Sequence, residues 1–269
     1  MQARPIPQQS LADSPRRMPL LECPLNEVHS GRAVMTQNVI ASNPVTAFWR
    51  TIIGKKVVMG ITGVVLVAFV IAHMLGNLKI FLGAEAIDTY AGFLRTMGEP
   101  LFPYSVLLWV VRIVLLSCVG LHITAAVQLT RMSWAARPID YAIKRNIKST
   151  FATRMMRWGG LLLVAFLIFH LLHLTAGVVG FGAGQFKHLA VHQNVLAAFA
   201  VWSVALFYIV AMGALYLHLD HGIWSVLQTL GWSTARNEKN LKSLSRVIAI
   251  VVSIGFISVP VAVTAGWLR

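Results

Sequence analysis

Acidic residues are scarce in this sequence. Nine Asp and Glu stand among 269 residues against 23 Lys and Arg, and the four types together reach only 12%. A water-soluble domain keeps its surface wet with about a quarter of its residues charged, so the deficit argues against a soluble fold. Cysteine is scarcer still. Cys23 and Cys118 stand alone, which excludes a disulfide framework and a CxxC metal or redox pair. The first 40 or so residues carry Pro5, Pro7, Pro15, Pro19 and Pro24 but no apolar core with a small-residue cleavage site, so they do not read as a secretory signal. Self-similarity at a period of about 20 to 50 residues is also missing, which excludes a solenoid.

What is abundant is apolar sequence, at 57% of the chain. A helix rising about 1.5 Å per residue needs about 20 apolar residues to cross a hydrocarbon core of about 30 Å. Five runs qualify: Val57 to Leu78, Tyr104 to Leu129, Trp158 to Phe181, Val195 to Leu219 and Ser245 to Trp267. Turn and charge signals separate them, among them Gly98-Glu99-Pro100, Arg137-Pro138 and Gly182-Ala183-Gly184, which a continuous helix would not choose. The expected fold is all-α, an integral membrane bundle of five transmembrane helices. Residues 1–44 are expected to form a mobile cytoplasmic tail and residues 45–269 the membrane domain.

The net charge of +14 invites a nucleic-acid reading, but the basic residues are neither interleaved with stacking aromatics nor gathered on one soluble module. They follow topology instead. Arg50, Lys55 and Lys56 precede the first span. Arg131, Arg137, Lys144, Arg145, Lys148, Arg154 and Arg157 lie between the second and third, and Arg236, Lys239 and Lys242 between the fourth and fifth. The other two loops hold only Lys79 and Arg95, then Lys187. Basic loops stay cytoplasmic, so the N-terminus is expected inside and the C-terminus outside.

Ionisable groups in hydrocarbon are costly, and each is a functional hypothesis by default. Here nearly all are histidines: His73 in the first span, His122 in the second, His170 and His173 in the third, His218 and His221 at the end of the fourth. No acidic residue lies well inside an expected span, and Arg112 is the one strong cation there. Depth sorts the histidines. His73 follows Lys56 by 17 residues, and His170 and His173 follow Arg157 by 13 and 16, which places them roughly 20 to 25 Å above the cytoplasmic boundary. His122 stands nine residues before Arg131 and His218 about 24 residues into its span, so these form an inner layer, His122 roughly 13 Å from the same boundary.

Each layer therefore draws on two helices, spans one and three for the outer and spans two and four for the inner. A haem iron held by two imidazoles needs that arrangement, with its flat ring between facing helices and small residues at its edge. The expectation is two stacked b haems surrounded by four of the five helices. Gly60, Gly63, Gly76, Gly120, Gly159, Gly160 and Gly213 supply space in those four spans, although close helix packing uses glycine as well. Within HLLH and HLDH the two histidines share a helix face and one alone takes the axial position; counting residues slightly favours His173 over His170, but helix tilt blurs a one-turn difference and both stay open.

The stretches FVIAHMLGNLKIF from Phe69, RMMRWGGLLLVAFLIFHLLHLTAG from Arg154 and HLDHGIWSVLQTLGW from His218 resemble the cytochrome b membrane anchor of succinate dehydrogenase and fumarate reductase, in its single-polypeptide, five-helix, dihaem form. The resemblance runs from about Trp49 to the C-terminus. It implies a subunit of the bacterial inner membrane that docks a flavoprotein subunit and an iron-sulfur subunit on the cytoplasmic side. Such a subunit passes electrons between their clusters and a membrane quinone, by resemblance a menaquinone. It also implies that His73 and His170 bind the distal haem, His122 and His218 the proximal one, with His173 and His221 as secondary candidates. Some dihaem members carry a proton-conducting glutamate beside the fourth-helix ligand; this chain has Tyr216 and Leu217 there.

On this reading the chain performs no chemistry on succinate. It supplies docking, a quinone pocket and tuned haems. A quinone head group needs hydrogen-bond donors beside an apolar channel. Trp49, Arg50, Lys55, Ser225 and Gln228 are candidates near the inner layer, and Glu85, Tyr90 and Arg95 near the outer. Arg112 is a candidate partner for a haem propionate, with outward snorkelling as the alternative. Two rival readings are a haem-free anchor or transporter, and a membrane metal oxidase or desaturase whose HxxH ligands would gather in one cluster.

Overall fold

A computed structural model describes residues 43–136, 151–180 and 186–269, with backbone only at 151–154. The expected tail, Cys23, the basic residues Arg137, Lys144, Arg145 and Lys148, the Arg154 side chain, and the Arg137-Pro138 and Gly182-Ala183-Gly184 turns lie outside the described residues. The chain divides into two compact units, Met1–Ala47 and Phe48–Arg269, and the second holds every long helix.

Helices carry the fold, and among the described residues there is no strand. A short helix α1 (Pro44–Arg50) precedes α2 (Ile52–Leu78), which tightens into a 3₁₀ turn at Lys79–Leu82. Then come α3 (Ala84–Thr96), α4 (Val106–Ala135), α5 (Phe151–His170) with a π turn at Leu171–Thr175, α6 (Val191–Ala200), α7 (Trp202–Thr229) and α8 (Glu238–Thr264). Five of these, α2, α4, α5, α7 and α8, are long and apolar enough to cross a membrane. Their outward faces are apolar, with Ile113, Leu161 and Ile254 each at least 60% exposed, as lipid-facing surfaces require.

Local chemistry sets the ends. The Thr51 hydroxyl accepts from Gly54 N at 2.8 Å and caps α2, satisfying one of the free amides of a helix N-terminus. Gly231 ends α7 in the left-handed region, with Trp232 N bonded back to Leu227 O, a C-terminal closure that favours glycine. Pro260 sits inside α8, where neighbouring membrane helices tolerate the missing amide.

Several boundaries differ from the sequence expectation, and those of the fourth span have consequences for the site. The apolar run from Val195 to Leu219 is not one span. It breaks at Val201, whose backbone is extended, and α7 continues ten residues past Leu219 to Thr229. Neither glycine nor proline marks the break; the cause is tertiary. Asn194 exchanges hydrogen bonds with the Lys187 backbone at 3.0 and 2.7 Å, and Asp88 on α3 accepts from His192 N at 2.9 Å. These bonds anchor α6 as a separate helix, so the chain must turn before α7. His218 is consequently the 17th residue of a 28-residue helix, in its body and not at its end. Asp220, expected outside the span, falls within the helix as well, its carboxylate 3.6 Å from Arg246 on α8. The third span likewise ends before Phe181, in the π turn.

Packing is asymmetric. Helix α2 packs on α4, α7 and α8, and α5 packs on α7, while α2 with α5 and α4 with α7 are not among the close packings. Met74, Leu219, Ala249 and Val252 form the core between α2, α7 and α8. Gly255 lets α8 approach Met74 so closely that a Cβ there would strike the thioether. A second core of Ile80, Ile87, Val195, Phe199, Tyr208 and Val259 gathers at the end where α3 and α6 lie.

Candidate functional site

The helices that avoid close contact are the ones whose histidines face each other. His73 on α2 and His170 at the end of α5 have ring centroids 5.9 Å apart at an interplanar angle of 81°. His122 on α4 and His218 on α7 are 6.2 Å apart at 60°. An imidazole nitrogen lies about 2 Å from a metal it ligates, so two rings flanking one metal have centroids about 6 Å apart. Both pairs meet that spacing. Among the described residues no group of three or more His, Cys, Asp or Glu side chains is placed to hold a metal ion.

Each ring is oriented differently. His122 Nδ1 stands 3.1 Å from the Met59 carbonyl and 3.3 Å from Thr62 Oγ1. A carbonyl accepts only, so Nδ1 carries the proton and Nε2 keeps its lone pair, the usual state of a metal-binding histidine. Gly63 leaves the room: a Cβ there would lie 3.4 Å from His122 Cε1. His218 Nδ1 is buried with no hydrogen-bond partner, a state that costs about 1 to 3 kcal/mol unless something satisfies it. His73 stacks on Phe69 at 5.3 Å and meets Phe256 at 5.8 Å.

The π turn separates the two histidines of HLLH. Its signature is Ala176 N bonded to Leu171 O at 2.9 Å. His173 is fully buried inside it and lies against Gly180, where a Cβ would lie 2.6 Å from the His173 ring. Gly180 has φ of 77°, so backbone and space both call for glycine there. Between the two rings comes a residue absent from the sequence-based candidates, Tyr208 of α7. Its hydroxyl is 3.0 Å from His173 Nδ1 and 3.4 Å from His170 Nδ1. One signal was available: Tyr208 precedes His218 by ten residues, about 15 Å along the helix, and a buried phenol needs a polar partner. His221 lies on the same helix as His218, partly buried.

The remaining candidates are spread over both ends. The Lys55 amine is buried and donates to the Trp49 carbonyl at 2.6 Å, while Arg50 is exposed. Ser225 and Gln228 lie beside Val226, which faces Gly60 of α2, so they share the Lys55 end. A cavity of about 220 Å³ at that end is lined by Leu129, Thr130, Ser133, Trp134 and Arg157, none of them anticipated as a site. At the other end a cavity of about 370 Å³ brings together Arg95, Arg112, Tyr104, Trp109, Thr175 and His188. Arg112 stacks on Trp109 at 4.9 Å, and Arg95 donates to Ala91 O at 2.8 Å. Glu85 is exposed, and Tyr90 packs over Gly76 with Lys79 above its ring. No family model, curated protein or solved structure matches the chain.

Proposed function

We propose that this chain is the membrane-anchor cytochrome b subunit of a succinate:quinone oxidoreductase, with two haem b groups, one between His73 and His170 and the other between His122 and His218. The observation that carries the reading is the coincidence of two features: paired imidazoles at the spacing of axial ligands, on helices not packed closely together. Ordinary histidine pairing across a helix interface would need the backbones to approach.

The chain's own residues fit the group. The Met59 carbonyl fixes the His122 tautomer, which keeps the Nε2 lone pair of that ring for a metal. Arg112, in a cavity that also reaches Thr175 at the end of the π turn, is placed to pair with a propionate of the outer group, bidentate pairing being what guanidinium does best. When bound, the haems supply one-electron carriers stacked through the bilayer between iron-sulfur clusters and quinone. The N-terminus and the basic loops face the cytoplasm of a bacterial inner membrane, where the flavoprotein and iron-sulfur subunits dock. A menaquinone head group is held near the Lys55 end, with Trp49, Arg50, Lys55, Ser225 and Gln228 as the polar candidates.

The test is a reduced-minus-oxidised optical spectrum of the purified protein with haem quantified per chain. The reading requires about two b haems, and His73→Ala or His122→Ala each remove one. Absence of a b-type band overturns it in favour of a haem-free anchor; non-haem iron in its place points to the metal-oxidase reading.

A further inference from the structure

We propose that Tyr208 is a positioning residue for the outer histidine pair, its hydroxyl bridging His170 and His173 so that His170 faces His73 and His173 is held off the shared axis. This rests on the haem reading above. Tyr208 is 7% exposed, and its ring is fixed by Phe166, Phe169, Phe199 and Phe207, with centroids 4.9 to 6.5 Å away. Its hydroxyl has the two imidazole nitrogens as hydrogen-bond partners.

A hydroxyl has one proton to give and lone pairs to accept with, so bridging two Nδ1 atoms makes it donor to one and acceptor from the other. An axial His170 binds through Nε2 and carries its proton on Nδ1, so it donates to the tyrosine oxygen. Tyr208 then donates to His173 Nδ1, which leaves His173 protonated on Nε2, the tautomer unable to ligate through that nitrogen. The backbone cooperates. In a regular helix residues three apart differ by roughly 60° around the axis, and the wider π turn after His170 opens that separation, sending His173 to Tyr208 and Gly180 while His170 meets His73.

The inner pair is oriented by other means. The Met59 carbonyl, a backbone group, holds His122. Tyr208 touches only the outer pair, and the inner His122 is held by the Met59 carbonyl and Thr62, so a change at Tyr208 lets the two haems report separately.

The experiment is Tyr208→Phe in the full-length protein, read by haem content, by potentiometric titration of the optical bands and by electron paramagnetic resonance of the ferric state. A hydrogen bond accepted from an axial imidazole makes that ligand more basic and favours ferric iron. We expect two haems to be retained, one midpoint potential to rise, and the ferric signal of that same haem to change as its His170 ring is freed. The other haem should be unmoved. His173→Asn, which keeps an acceptor for the phenol, should retain both haems with potentials close to those of the unmodified protein.

Unchanged potentials and signals in Tyr208→Phe overturn the proposal, and so does an equal shift in both haems, which would mean general loosening. Loss of a haem in His173→Asn overturns it by making His173 the ligand. A haem-free unmodified protein fails the functional reading itself, whereas haem that ignores Tyr208 fails this inference alone.

Discussion

An imidazole in an apolar interior is costly, yet this chain places six on its long helices, His173 fully buried and the others partly, and arranges four of them in two facing pairs. If each pair grips one iron, its members act as a unit and not as independent contributors. His73→Ala and His170→Ala should therefore lose the same haem, and the double variant should lose no more than either alone, checked by haem stoichiometry and the spectrum of the remaining haem. His122→Ala with His218→Ala should behave likewise on the other band, whereas His221→Ala should keep both. Residue counting from the basic loops brought His73 to the level of His170, because straight helices rise uniformly; for His218 the count ran from Val195, before the break at Val201, and put the residue at the end of its span and not in the body of α7. It failed within HLLH, since the π turn at Leu171–Thr175 changes the angle between side chains and the sequence LLHLT carries no glycine or proline to announce it. Tyr208 was only weakly legible for a related reason: its spacing from His218 marks it, but its partners His170 and His173 lie on another helix.

At the scale of elements, the five long apolar helices were legible because a span needs only length and apolarity. Helices α3 and α6 and the break at Val201 were not, because they depend on side chains meeting across the fold. Asp88 is the case in point. It caps α6 from α3, in place of a side-chain cap from α6 itself. Asp88→Ala should cost about 0.5 to 2 kcal/mol of local stability, the usual loss of an N-cap, and appear as faster amide exchange confined to the first turns of α6. Gly180 follows the π turn and packs against its His173. With φ of 77° and no room for a Cβ beside His173, Gly180→Val should lower stability by about 1 to 3 kcal/mol, seen as a fall in the thermal midpoint in detergent. Gly92→Ala provides the control: it lies within α3 with nothing within 4 Å of a Cβ, so it should hold or raise the midpoint, by up to about 1 kcal/mol.

Over the whole molecule, tryptophan and basic residues mark the two membrane faces. Exposed Trp134, Trp158 and Trp232 lie at one end of the bundle and exposed Trp109, Trp202 and Trp267 at the other, as aromatic belts at both interfaces would be. Cations stack on tryptophans at the first of these ends: Arg157 on the exposed Trp134 at 5.5 Å, and Lys242 and Lys55 on the partly buried Trp224 and Trp49 at 4.9 and 5.7 Å. The opposite end has Arg112 on Trp109 and few other cations. Electrostatics thus distinguishes two faces that aromatic composition alone would leave equivalent, and in the proposed orientation the cation-rich face is the one retained in the cytoplasm. That orientation is testable with single cysteines in a chain whose own are replaced by Cys23→Ser and Cys118→Ala. Lys187→Cys, in the cation-poor loop before α6, should react with a membrane-impermeant thiol reagent on intact spheroplasts. Lys239→Cys, in the first turn of α8, should react only after permeabilisation. The reverse pattern would invert the bundle and put the Lys55 end, with its proposed quinone and docking roles, on the wrong side of the membrane for a partner that oxidises succinate in the cytoplasm.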